Sequence, residues 1–288
     1  MTILFGMFII CTHAKCLKVL VFGNSFSGDA IEQNLYELAK ANGDQIIIGH
    51  MCIGGCSLER HYINLTTDSA AYTYRKIING KMVTKEKYTI SKAFCDEEWN
   101  IITFQQVSED SGIYDTYFPY ITELICYARE NVGKRDVSIG FHITWAYAAS
   151  SLNSGFAKYN GNQTKMYNAI INTAKRVLKE TDVDFIIPTG TAIQNGRTSV
   201  IGDHFCCDGC HLELNYGRYT AACTWYEALF GTSVIGNSFI PENVTSFQGL
   251  IAQSAAHFAV ITPFSVTSLE RIIKTTTLNE SERIIPSL

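Results

Sequence analysis

Two kinds of apolar run alternate along this chain. Residues 17–22 (LKVLVF) are apolar almost throughout and stop at Gly23, the pattern of a strand buried on both faces. Residues 29–41 then carry Ile31, Leu35, Leu38 and Ala39 at helical spacing, with Asp29 placed to cap the helix and Gly43 to end it. Residues 45–49 (QIIIG) read as a second strand, so the chain opens β-α-β. Further buried strands are expected at 99–104, 137–142 and 184–188. Helices are expected over about 117–130, 163–179, 215–229 and 247–260. Residues 57–98 break this rhythm. Segments 72–78 and 81–84 flank Asn79-Gly80, a dipeptide that favours the type I′ hairpin turn, and the stretch reads as a surface excursion. The alternation predicts a single α/β domain over 15–288, a three-layer α/β/α sandwich with a central parallel sheet of about five strands.

Composition narrows the class. Of 288 residues 47% are hydrophobic, enough for a sizeable core, and the formal net charge is −4. No long basic run is present, so no nucleic-acid partner is expected. Residues 3–11 are apolar but too short to span a bilayer as a helix, and Thr12-His13-Ala14 offers a small-x-small cleavage site. Residues 1–14 therefore read as a signal peptide, and the protein as secreted, periplasmic or cell-surface. No stable membrane span is expected elsewhere. Of the 10 cysteines, nine remain once Cys11 leaves with the leader, and their scattered spacing is not a disulfide framework.

In an open parallel sheet, sites form beyond the carboxyl ends of the strands. Gly23-Asn24-Ser25 follows the first strand, Gly54-Gly55-Cys56-Ser57 the second and Gln105-Gln106 the third. The stretch CCDGCHL lies near the end of the expected domain. That last stretch is ambiguous. Cys207-x-x-Cys210-His211 spells a c-type haem attachment signature, the same side chains could hold zinc, and Asp208-x-x-His211 pairs an acid with a base. A strand-rich α/β pattern does not predict a haem wrap, and no second metal-ligand pair lies at a suggestive spacing, so no metal and no cofactor are expected.

Taken together, the four blocks resemble the SGNH (GDSL-type) hydrolases over roughly residues 17–230. Gly23-Asn24-Ser25 is similar to the family's G-D-S, with Asn in place of Asp. Gly54-Gly55 is similar to its glycine block, and Asp208-x-x-His211 to its D-x-x-H. Where the family has an Asn in its third block, this chain has Gln105-Gln106, as some carbohydrate-esterase branches do. The resemblance implies a flavodoxin-like fold, a Ser25 nucleophile, His211 as base and Asp208 as its orienting acid. It also implies an oxyanion hole from the N–H groups of Ser25 and Gly55 and a glutamine amide, Gln105 or else Gln106. Arg60 and Trp145 are candidates to line a substrate cleft.

The expected function is thus a secreted serine esterase that removes acyl groups, acetyl first, from a small-molecule or carbohydrate ester through an acyl-enzyme. A non-catalytic glycan-binding protein on the same scaffold, and a haem or metal protein built on the C-x-x-C-H stretch, are the alternatives. The sequence carries no sign of the oligomeric state.

Overall fold

The computed structural model describes residues 14–132 and 136–270. The leader expected over residues 1–14 lies, apart from Ala14, outside the described residues, as does the part of the domain beyond residue 270. Seven strands form one sheet in the order β4-β3-β2-β1-β5-β6-β7. The parallel part is β1 (Cys16–Gly23), β2 (Gln45–Cys52), β5 (Ile101–Phe104), β6 (Ser138–His142) and β7 (Phe185–Ile187). These are the five strands expected from the apolar runs, and the three-layer α/β/α, flavodoxin-like class holds.

The hairpin differs from expectation. β3 (Tyr72–Ile78) and β4 (Lys81–Tyr88) are not an excursion from the core but a two-strand extension of it, with β3 pairing antiparallel to β2. Asn79 and Gly80 take φ of +51° and +73°, which closes the turn. One face of β3 is buried, through Tyr72 and Tyr74, whereas β4 is exposed along nearly its whole length and forms a charged edge.

The expected first helix is two: α1 (Ser25–Ile31) and α2 (Leu35–Ala41). Asp29 is inside α1 rather than at a cap. α8 (Tyr216–Phe230) and α9 (Ser246–Ile261) pack with α1, α2 and α7 (Thr189–Arg197) over one face of the sheet. The crossovers β5-α5-β6 and β6-α6-β7 step the same way across the sheet. α5 (Tyr120–Asn131) and α6 (Gln163–Glu180) therefore share the opposite face, where α3 (Leu58–Thr66) packs on α5. α4 (Ile90–Phe94) and α7 lacked a readable apolar stripe; α7, for instance, is buried through small and polar residues such as Thr189, Gly190 and Asn195. No helix among the described residues is long and apolar enough to cross a membrane.

β1 is the middle strand. The chain leaves it for β2 on one side and later returns to β5 on the other, so the carboxyl ends of β1 and β5 flank the switch point of the sheet. Phe22 is in register with Phe104, which brings the residues after them, Gly23-Asn24-Ser25 and Gln105-Gln106, to one place.

Candidate active site

Asn24 follows β1 and caps α1. Its backbone is extended, and its Oδ1 accepts the Phe26 N–H at 3.0 Å. Ser25 is the first helical residue, so its own N–H has no partner within the helix. Its hydroxyl opens into a cleft of about 180 Å³ lined by Phe26, Gly55, Ser108, Glu109, Tyr147, Asn153, Cys210 and His211, among others. Gly55 takes φ of +61° there, a backbone that glycine adopts without strain.

His211 reaches Ser25 from a short closed loop. Cys206 bridges Leu212, and the Cys207 N–H donates to the His211 carbonyl at 2.9 Å. Gly209 has φ of +88°, and a Cβ on it would lie 2.9 Å from the Cα of Ser151, so only glycine fits. Three anchors fix the loop. The Ala148 N–H donates to the Gly209 carbonyl at 2.9 Å, the Trp145 indole N–H donates to the Cys210 carbonyl at 2.7 Å, and the Leu212 N–H donates to Asp29 Oδ2 at 2.8 Å. Asp29 Oδ1 pairs in turn with Arg218 on α8 at 2.8 Å.

The result is a continuous chain of contacts. Ser25 Oγ lies 2.9 Å from His211 Nε2, and His211 Nδ1 lies 2.7 Å from Asp208 Oδ2. Asp208 Oδ1 accepts the N–H groups of Cys210 and His211 at 2.9 and 2.7 Å. Burial works against the Asp208 charge, but the imidazole and the two N–H groups outweigh it and hold the carboxyl well below the usual range. His211 is raised to about 9, first by its contact with Cys210 Sγ, 3.5 Å from Nδ1, and then, against burial, by Asp208. The arrangement sets the tautomer: with the Nδ1–H donating to the Asp208 carboxylate, the Nε2 lone pair faces the Ser25 hydroxyl.

The structure thus brings Ser25, Gly55 and His211 to one cleft, with Asp208 in contact with His211. It places the other sequence candidates elsewhere. Gln105 is fully buried behind the nucleophile turn: its Nε2 donates to Asn24 Oδ1 at 2.8 Å, and its Oε1 accepts from the Ser27 hydroxyl and from His142 Nδ1. Gln106 is equally buried, donating to Thr116 and accepting the N–H groups of Leu58 and Val107. Neither amide faces the cleft, because each is held by buried polar partners of its own. Trp145 is fully buried too, stacked on Phe26 at 4.3 Å between ring centroids, and is a support for the His211 loop rather than a cleft wall. Arg60 lies on the exposed side of α3, outside the residues lining the cleft. As for the haem signature, Cys207 is exposed and Cys210 buried, and both ring nitrogens of His211 face protein partners.

Sequence reasoning missed Asp29 as the clamp on the His211 loop. The available signal was its spacing of four from Ser25, which places both on one face of α1. It also missed Cys210 as a contact of the His211 ring, for which spacing gave no sign.

No curated protein matches the chain. Among solved structures, a DUF4886 family protein from Bacteroides uniformis ATCC 8492 is 49% identical, covering 88% of this chain and 98% of that one, with a TM-score of 0.86. A provisionally named SGNH hydrolase from Slackia heliotrinireducens is 15% identical over 74% of this chain and 99% of that one, with a TM-score of 0.49. A provisionally named acylhydrolase from Bacteroides fragilis NCTC 9343 is 12% identical over 74% of this chain and 85% of that one, with a TM-score of 0.45. These last two are too distant to bear on chemistry. The family model described as "Domain of unknown function (DUF4886)" matches residues 18–259, and the chain belongs to that family.

Proposed function

We propose that this protein is a secreted serine esterase that removes short acyl groups, acetyl first, from carbohydrate. The observation that carries the reading is the run of contacts from Ser25 Oγ to His211 Nε2 at 2.9 Å and from His211 Nδ1 to Asp208 Oδ2 at 2.7 Å. His211 Nε2 takes the Ser25 proton as Oγ attacks the ester carbonyl. Asp208 holds the ring and stabilises the imidazolium. The N–H groups of Ser25 and Gly55 receive the oxyanion; one such donor is typically worth ~10²–10³ in rate. The imidazolium gives its proton to the departing alcohol. Water, activated by the same Nε2, then cleaves the acyl-enzyme.

The short-acyl preference is supported by room. The cleft beside Ser25, about 180 Å³, has space for an acetyl group. The carbohydrate part rests on the resemblance to esterase branches with Gln in the third block, and export on the sequence of residues 1–14.

The test is hydrolysis of p-nitrophenyl acetate by the purified protein lacking residues 1–14, beside Ser25→Ala and His211→Ala. Loss of nearly all turnover in both variants supports the reading. Equal rates in all three would overturn it and leave the glycan-binding alternative. Acetyl against longer acyl esters tests the chain-length preference.

A further inference from the structure

Cys210 is not needed for the chemistry above, yet its Sγ lies 3.5 Å from His211 Nδ1, on the ring atom that Asp208 also contacts. The donor atoms of Asp208, Cys210 and His211 all fall within 4.8 Å of one another. We infer that these three side chains form a binding site for a thiophilic divalent cation of the zinc class, and that an ion bound there switches the esterase off.

The geometry matches the ion. With Zn–S of ~2.3 Å and Zn–N of ~2.0–2.1 Å at a tetrahedral angle, sulfur and nitrogen ligands sit about 3.5–3.6 Å apart. Cys210 Sγ and His211 Nδ1 are at that separation already. A carboxylate oxygen ligand at ~2.1 Å would stand about 3.4 Å from the nitrogen. Asp208 Oδ2 would then draw back from its present 2.7 Å by turning about Oδ1, which keeps the Cys210 and His211 N–H groups; the side chain is 52% exposed. The backbone under the sulfur is held: the Cys210 carbonyl takes the Trp145 indole proton, and the Cys210 N–H donates to Asp208 Oδ1. Thiolate, imidazole and carboxylate are a donor set that suits zinc, and one thiolate and one carboxylate balance a divalent charge.

Binding changes the tautomer. The cation takes the Nδ1 lone pair, the single proton of the neutral imidazole then sits on Nε2, and the Cys210 thiol proton goes to solvent. An Nε2 that carries a proton cannot accept one from Ser25. The site itself depends only on the three side chains; the inhibition rests on the proposed esterase reading.

Co²⁺ is the probe, since a thiolate-bound tetrahedral Co²⁺ gives a sulfur-to-metal charge-transfer band in the near ultraviolet and visible d–d bands. The expected result is a band saturating at one Co²⁺ per chain and bleached by Zn²⁺. It should be retained in Cys207→Ser, lost in Cys210→Ser and Cys210→Ala, and weakened in Asp208→Asn. No saturable band, or a band that survives in both Cys210 variants, would overturn the site. In p-nitrophenyl acetate hydrolysis, Zn²⁺ should inhibit the wild type and a chelator restore it. Cys210→Ser, judged against its own metal-free rate, should need at least about tenfold more Zn²⁺. Equal sensitivity of the two would overturn the switch. A cobalt band in a protein with no ester turnover would leave the site standing and sink the esterase reading instead.

Discussion

Asn24 Oδ1 accepts a hydrogen bond from Gln105 Nε2 at 2.8 Å. Asn24 stands where the SGNH pattern has Asp in its first block, Gln105 is one of the two glutamines that stand where its third block has Asn, and the two are partners. Asn24 also donates from Nδ2 to the Cys56 carbonyl at 3.1 Å, beside the glycine block. A carboxamide can donate and accept at once; an ionised Asp there could not donate to Cys56, and would put an uncompensated charge in a buried site.

Asn24→Asp should therefore destabilise the protein by about 2 kcal/mol, and Gln105→Ala by a similar amount. The double variant should cost less than the sum of the singles, with a coupling of about 0.5–3 kcal/mol. Urea unfolding of the four proteins measures it; additive losses would mean that the pair does not act as a unit.

Asp29 is the hinge-pin of the base loop. It is nearly fully buried, and burial pushes its carboxyl pKa up, although the Leu212 N–H and Arg218 pull the other way. Asp29→Asn keeps the size but leaves Arg218 without its anion and weakens the hold on Leu212. The expected loss is roughly 3 kcal/mol of stability. A displacement of His211 by even ~1 Å should lower kcat about 10²-fold with little change in KM. A variant that is destabilised but turns over normally would remove Asp29 from a positioning role.

The pH profile follows from His211. Its imidazole is raised to about 9 by the Cys210 and Asp208 contacts, and only the neutral ring can accept the Ser25 proton. Ester hydrolysis by the metal-free enzyme should rise with pH towards a midpoint near 9. Removing either contact lowers the folded value, so Cys210→Ser and Asp208→Asn should each move the midpoint to lower pH. A kcat/KM profile with an unmoved midpoint in both variants would contradict this origin of the shift.

Glu32 links the sheet edge to the break between α1 and α2. Burial alone would raise its pKa, but the His50 imidazole at 2.6 Å and the Arg75 guanidinium at 2.8 Å outweigh it and hold the carboxyl at about 2. A carboxyl depressed in the folded state adds stability above its unfolded value near 4.5, and that contribution is lost as pH falls through about 2. Glu32→Gln should cost roughly 2–3 kcal/mol at pH 7, and the difference from wild type should shrink towards nothing as pH approaches 2. Denaturant unfolding at several pH values checks it.

The sequence by itself determined the layers and the residues that meet around the cleft. Continuous apolar runs such as 17–22 admit little but a doubly buried strand, and their alternation with amphipathic helices leaves few topologies. Ser25, Gly55, Asp208 and His211 were legible because each stands in a short block beyond a strand or in a closed loop, where local sequence sets local geometry. The partners of the buried polar groups were not legible. Gln105, Trp145 and Asp29 bond to residues as many as 183 positions away, and no local rule says which buried donor meets which acceptor. The hairpin was recognised from Asn79-Gly80, but its place at the sheet edge depended on β2 having an unpaired side for β3 to join. That is a tertiary fact, whereas the contact of Cys210 with His211, neighbours in the chain, is made within their own loop.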